Sequence, residues 1–204
     1  MNKNPIKERI KTGNNNAEIL AKYLNYKYGY KFEKVSLEED KNDMIDFRCE
    51  KTGKTAQFKC RDNKSDIIFE AKRFYLNNNE LNQIDGRDCR TKAKLYICLS
   101  SDKKKIIVSE SEQIKEIVKK EILKFDFNYS NILLCIKNAK NSSNKSIKII
   151  DNKNKIQTWF KVDEGSDTEE YYKLLVFIPY EAISNSIRLE IKNENLLNEK
   201  TWQR

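Results

Sequence analysis

The sequence predicts a mixed α/β (α+β) protein, with a mixed central sheet flanked by helices and a β-rich C-terminal extension. Three observations carry this. Apolar residues recur at helical spacing in two places, Ala17, Leu20, Ala21, Leu24 and again Ile114, Ile117, Val118, Ile122. Residues 44–61 alternate apolar and polar side chains on two arms, as a β-hairpin does. Leu95-Tyr96-Ile97-Cys98-Leu99 is an unbroken apolar run of strand length, which suits a central strand buried on both faces.

In chain order, residues 1–13 read as a flexible basic lead. Gly13-Asn14-Asn15-Asn16 then offers N-cap chemistry for the first helix, which Gly29 closes. Tyr30 to Leu37 carries apolar residues at Tyr30 and Phe32, then Val35 and Leu37, the pattern of a strand with a bulge. Glu38 to Asn42 reads as a polar loop. In the hairpin, Ile45, Phe47, Cys49 and Ala56, Phe58, Cys60 share one face. With Thr52-Gly53 as a two-residue turn, Phe47 lies opposite Phe58 and Asp46 opposite Lys59. A one-residue slip would turn Asp46, Arg48, Gln57, Lys59 and Arg61 into the core, so the pattern restricts the register.

Asp66 to Phe74 predicts another strand, followed by an Asn-rich loop to Asn82 and a turn at Asp85-Gly86-Arg87-Asp88. Lys105 to Val108 predicts a short strand, and Ser109-x-x-Glu112 a capping box before the second helix. From about Asn128 the texture changes to strand-like runs at 132–136, 147–150, 158–162, 173–178 and 187–191. The predicted organisation is therefore a lead (1–13), a core (14–127) and a β-rich C-terminal subdomain (128–204).

Composition bounds the chemistry. The chain of 204 residues has 40 Lys+Arg against 31 Asp+Glu, a formal charge of +9, and no histidine. The missing imidazole excludes Ser-His-Asp and Cys-His nucleophile systems and every hydrolase built on a histidine base. The basic excess fits a polyanionic partner, and it equally fits a chain enriched in lysine without selection for binding. The five cysteines, Cys49, Cys60, Cys89, Cys98 and Cys135, form no Cys-x-x-Cys pair, so neither a zinc ribbon nor a disulfide framework is expected. They read as small buried residues of a soluble protein in a reducing cytoplasm, with no membrane partner.

The polar face of the hairpin gathers a carboxylate, an amide and an amine. A carboxylate and an amide oxygen hold a hard cation such as Mg²⁺, with Mn²⁺ able to substitute, while a lysine orients or deprotonates the attacking water. Such a site needs no histidine. A plain cross-strand ion pair between Asp46 and Lys59 is the alternative, worth about 0.2–1 kcal/mol.

Written as Asp46-x(10)-Gln57-Phe58-Lys59, the hairpin resembles the PD-(D/E)XK nuclease superfamily, and its Gln-x-Lys form is similar to the Mrr-like branch. The upstream order agrees: a glutamate-bearing helix (Asn16-Ala17-Glu18-Ile19-Leu20-Ala21), then Tyr28-Gly29-Tyr30, then Asp43-Met44-Ile45-Asp46. The resemblance spans roughly residues 14–125 and implies a restriction-endonuclease-like sheet and a Mg²⁺-dependent DNA nuclease. It makes Asp46 the main metal ligand, Gln57 the occupant of the second acidic position, Lys59 the catalytic lysine, and Glu18 the residue that completes the metal shell. Asp43 and Glu70 are secondary candidates, Glu70 through a rival Glu70-Ala71-Lys72 motif. Arg48, Arg61, Arg87 and Arg90 are candidates for phosphate contact. The implied partner is DNA, double-stranded, with a homodimer as one way to cut both strands. Two alternatives stay open: a nucleic-acid-binding or assembly protein that keeps the fold without cleaving, and a nuclease for RNA or branched DNA.

Overall fold

The protein is described by a computed structural model over residues 5–60, 66–77, 80–100, 104–151, 156–164 and 170–191. Helix α1 spans Pro5–Tyr28. Proline is well suited to the first helical turn, where its missing N–H would have no partner. The helix therefore starts well before Gly13 and includes most of the segment read as a flexible lead; an interior glycine costs only about 1 kcal/mol and does not stop it. Gly29, at φ +65°, ends it in the left-handed conformation.

Strand β1 (Phe32–Lys34) is shorter than its apolar pattern suggests, because Ser36 opens a helix, α2 (Leu37–Asp43), where a loop was expected. The Ser36 hydroxyl accepts the Glu39 backbone N–H at 3.1 Å. Ser36-x-x-Glu39 is a capping signature within the sequence. Strands β2 (Phe47–Cys49), β3 (Thr55–Cys60), β4 (Asp66–Asn77), β5 (Glu80–Asp85), β6 (Leu95–Leu99) and β7 (Lys105–Glu110) follow. The region read as an Asn-rich loop holds the end of β4 and the start of β5, which pair from Lys72↔Asp85 to Asn77↔Glu80. Helix α3 (Ser111–Ile122) begins two residues beyond Ser109, which belongs to β7. Helix α4 (Tyr129–Asn141) replaces the predicted strand at 132–136. A short apolar run is ambiguous by periodicity alone. Here the Asn128 side chain caps the helix through Asn131 N–H, and Ile132, Cys135, Ile136 and Ala139 form one buried stripe. The remaining strands are β8 (Ser146–Asp151), β9 (Gln157–Glu164), β10 (Glu170–Pro179) and β11 (Ile187–Glu190).

The strands make two sheets, ordered β1-β2-β3-β6-β7-β11 and β5-β4-β10-β9-β8. The first is mixed, with β3 and β6 parallel and the other described pairs antiparallel. Its apolar run β6 is flanked on both sides, by β3 and β7, as expected of a central strand. The chain is thus α+β, with two sheets and four α-helices among the described residues.

These sheets belong to two compact units that are discontinuous in sequence. The first comprises Met1–Asp66, Lys92–Ser111 and Asn185–Arg204; the second, Ile67–Thr91 and Glu112–Ser184. The boundary expected at 127/128 does not separate them. Strands β4 and β5 join the sheet of β8 to β10, and β11 pairs with β7 through Ile187↔Val108 to Glu190↔Lys105. Long-range ladder bonds decide this membership, and composition carries no mark of them.

In the first unit, Ala17, Leu20, Ala21 and Leu24 of α1 pack with Phe32, Phe47, Cys49, Ala56 and Phe58. The aromatic rings meet at 5.6 Å (Phe32 to Phe58) and 4.6 Å (Phe47 to Phe58). Asn25 fixes β1 by accepting the Phe32 N–H at 2.7 Å and donating to the Phe32 carbonyl at 2.9 Å, in the manner of a neighbouring strand. In the second unit, the stripe of α4 packs on β8 and β9. Phe160 contacts Phe74 at 5.7 Å and Tyr172 at 5.9 Å. No described helix is long and apolar enough to cross a membrane.

Candidate active site

The hairpin forms with a register shifted by two residues from the expected one. Phe47 pairs with Ala56 and Arg48 with Thr55. The loop has four residues, Glu50 to Gly53: Cys49 N–H donates to the Lys54 carbonyl and Gly53 N–H to the Cys49 carbonyl, both at 2.8 Å. Gly53, at φ +66°, takes its left-handed last position. A shift of two preserves the face of every side chain, so Phe47, Ala56 and Phe58 still face the core. It changes who opposes whom. Asp46 N–H donates to the Ala56 carbonyl at 3.0 Å, and Phe58 N–H donates to Asp46 Oδ2 at 2.8 Å. Asp46 is thereby bracketed on both sides of Gln57, which replaces Lys59 as its cross-strand neighbour.

β2 ends here while β3 runs on beside β6, so the carboxylate of Asp46 takes over a ladder position from the backbone. Gln57 is 2% exposed, and its Oε1 atom has no hydrogen-bond partner. A buried acceptor left unsatisfied costs about 1–3 kcal/mol. Lys59 follows on the same face by strand alternation, its amine 5.9 Å from the ring centroid of Tyr96, a fully buried residue paired with Gln57. In the sequence Tyr96 is only part of an apolar run; its pairing with Gln57 needs the parallel β3/β6 register, which has no local signal.

Glu18 is held elsewhere. Its carboxylate accepts from Lys34 Nζ at 2.7 Å. Lys34 pairs with Phe47, and Phe47 with Ala56, so this ion pair lies on the α1 side of the sheet. Gln57, one residue on from Ala56, faces the other way. Asp43 is tied to Lys92, its Oδ1 accepting from Nζ at 2.6 Å. Among the described residues, no group of three or more Asp, Glu, Cys or His side chains is gathered as a metal site. The structure sets Gln57 opposite Asp46 in the register and Lys59 two residues further along β3, while Glu18 is engaged by Lys34 and Asp43 by Lys92.

Glu70 belongs to the second unit, where it is the centre of a closed network. Its Oε1 accepts from Arg73 Nε at 2.5 Å and from Arg87 backbone N–H at 2.9 Å, and its Oε2 lies 3.3 Å from Lys173 Nζ. Lys173 also contacts Asp163 at 2.8 Å. Glu70 N–H donates to Asp88 Oδ2 at 2.8 Å. Burial alone would raise the Glu70 pKa, but the Arg73 hydrogen bond, the Arg87 N–H and the Lys173 charge hold it below the usual carboxylate value. The rival Glu-x-Lys motif is dispersed, since Lys72 turns to Asp85 at 3.3 Å. A Cβ on Gly86 would meet the Glu70 carbonyl at 2.1 Å, so the turn at 85–88 requires glycine for close approach.

Of the phosphate-contact candidates, Arg48 is bound to Glu39 at 2.5 Å, while Arg87 and Arg90 are exposed in the second unit. Arg61 lies outside the described residues. Cys49, Cys98 and Cys135 are buried and Cys89 is half-buried, and none of these four forms a disulfide.

The fold and site define a mixed α+β chain with a carboxylate, an amide and an amine at the end of a β-hairpin. Comparison with protein-family models, with curated proteins and with solved structures finds no match to this chain.

Proposed function

We propose that this chain is a Mg²⁺-dependent deoxyribonuclease that hydrolyses phosphodiester bonds at Asp46, Gln57 and Lys59. The observation that carries this reading is the buried Gln57 Oε1, an acceptor without a protein donor on the residue next to Phe58, whose N–H holds the Asp46 carboxylate. A hard cation takes such oxygen ligands, and Mg²⁺ keeps several of its waters, so two protein oxygens suffice to hold it. Bound there, the ion supplies Lewis-acid stabilisation of the phosphodiester and a lowered pKa for attacking water. Asp46 contributes the negative charge that binds the ion, fixed in direction by the Phe58 N–H. Lys59 orients the attacking water and offers a cation to the phosphate as its charge builds. Gln57 stands where the superfamily's second acidic ligand is expected. Position 44, where the Mrr-like segment has glycine, adopts φ +55° at Met44, a conformation that glycine favours. The mixed sheet supports a restriction-endonuclease-like core on the same resemblance.

Duplex DNA is the proposed substrate, attracted by the +9 chain. A homodimer would supply two such sites for two strands. The free thiols suit a reducing cytoplasm.

The competing reading is a DNA-binding protein that does not cut. It is favoured by the uncharged Gln57 and by the Glu18–Lys34 pair, which leave the site with less negative charge. One experiment separates the two. Supercoiled plasmid and linear duplex are incubated with the protein and Mg²⁺ or Mn²⁺, beside Asp46→Ala and Lys59→Ala. Cleavage that needs metal and is lost in both variants is expected. Intact DNA with either metal, or variants that cut as well as the parent chain, overturns the proposal.

A further inference from the structure

The sheet of the second unit has, opposite its fully buried side, a face that a solvated antiparallel sheet would not choose. Strand β10 alternates without a break: Tyr172, Leu174, Val176 and Ile178 are buried, while Tyr171, Lys173, Leu175 and Phe177 are half-buried. On β9, Phe160 and Val162 are buried and Trp159 and Lys161 half-buried. Where one side of an antiparallel sheet faces water, that side is normally polar. Here it carries three aromatic rings, and Trp159 lies 6.1 Å from Phe177.

The register arranges this face in rows. Lys148, Trp159 and Leu175 stand opposite one another across β8, β9 and β10; Lys161 opposes Lys173; Asp163 opposes Tyr171. A pair of lysines thus separates two aromatic rows. Like charges directly opposite are unfavourable unless an anion compensates them. Both carboxylates of the cluster, Glu70 and Asp163, turn to Lys173. Cations also lie over the rings: Lys148 is 5.8 Å from the Trp159 centroid, and Arg73 and Lys173 are 5.3 and 5.2 Å from that of Tyr171.

We propose that this face binds single-stranded DNA, with bases stacked on Trp159 and Phe177 and phosphates drawn to Lys161 and Lys148, beside Tyr171, which stacks on Tyr75, and Lys173, which is paired with Glu70 and Asp163. Aromatic rings interleaved with cations are the two parts of a single-strand platform: every base has a stacking face, and the backbone supplies the anions. In a duplex those base faces are hidden. An apolar protein partner would have to desolvate Lys161 without compensating it. The choice of DNA over RNA rests on the hydrolytic reading of the Asp46 site; the platform itself does not.

The test uses the full chain carrying Trp202→Phe, so that Trp159 is the sole tryptophan, in EDTA so that no cleavage intervenes. Titration with an oligo-dT strand is expected to quench Trp159 fluorescence. Trp159→Ala and Phe177→Ala, followed by anisotropy of labelled dT, are expected to weaken binding at least about five-fold each. Lys161→Ala keeps the rings and guards against misfolding in the aromatic variants; it should lower the slope of log K against log salt by about 0.7. Absence of quenching, binding that none of the three variants changes, or equal affinity for blunt duplex overturns the platform. Binding of oligo-U with no binding of oligo-dT overturns the choice of DNA. A chain that binds dT in EDTA and cuts nothing with Mg²⁺ or Mn²⁺ overturns the hydrolytic reading and keeps the platform.

Discussion

Glu70→Gln removes one charge from the network of the second unit while keeping the shape of the side chain. The carboxylate is 11% exposed and holds three donors, Arg73 Nε, Arg87 N–H and Lys173 Nζ. Removing one partner of a buried ion pair typically costs about 3–5 kcal/mol, because the other charge stays behind. Two features place this case at the lower end. Arg73 and Lys173 keep 22% and 18% exposure, and Lys173 retains Asp163. We expect a loss of about 3 kcal/mol, equivalent to a fall in Tm of roughly 6–12 °C for a chain of this size. The sign with pH follows from the lowered pKa of Glu70. Its folded value lies below its unfolded one, so its contribution is complete above the unfolded value, about pH 4.5, and is lost as pH falls through the folded value. Urea unfolding of both chains, followed by far-UV circular dichroism from pH 7 downward, should show a gap that closes in acid. A difference under about 0.5 kcal/mol at pH 7, or a gap of constant size in acid, would refute the assignment of Glu70 to the fold of this unit.

Other substitutions test single contacts. Asn25→Ala strips the Phe32 N–H and carbonyl of their partners and should cost about 1–3 kcal/mol in the same unfolding assay. Met44→Gly should stabilise by roughly 0.5–1 kcal/mol, since φ +55° strains methionine more than glycine's extra unfolded freedom costs; a lower urea midpoint contradicts this. Asp46→Asn keeps an oxygen for the Phe58 N–H and loses the charge, so it should unfold like the parent chain and fail to cut plasmid, whereas Asp46→Ala should also lose stability. Cys89, whose thiol donates to the Ala71 carbonyl and is pushed by burial to a pKa of about 11, should resist alkylation at pH 8 until the chain is unfolded; mass spectrometry of iodoacetamide-treated protein reads this directly.

Local chemistry made much of the first unit legible. The period of Ala17, Leu20, Ala21 and Leu24 marks a helix, Gly29 ends it, and parity along the hairpin assigns Phe47, Cys49, Ala56 and Phe58 to the core face. Parity survives a two-residue shift, so the face containing Gln57 and Lys59 was readable even though the loop length was not. Ser36-x-x-Glu39 is an equally visible local signal, and it opens the acidic helix α2. The helix at 129–141 was hidden because Ile132 to Ile136 is too short a run to reveal its period.

What the sequence by itself determined was therefore the α+β class, the hairpin and the absence of imidazole, because alternation, helical spacing and composition are properties of neighbouring residues. Only the tertiary structure decided that Asp46 sits beside Gln57, that Glu18 binds Lys34, that Glu70 anchors a different unit, and that β11 returns to β7. Each of these depends on a backbone ladder or an ion pair between distant segments, and such pairings are selected by the free energy of the whole packed chain.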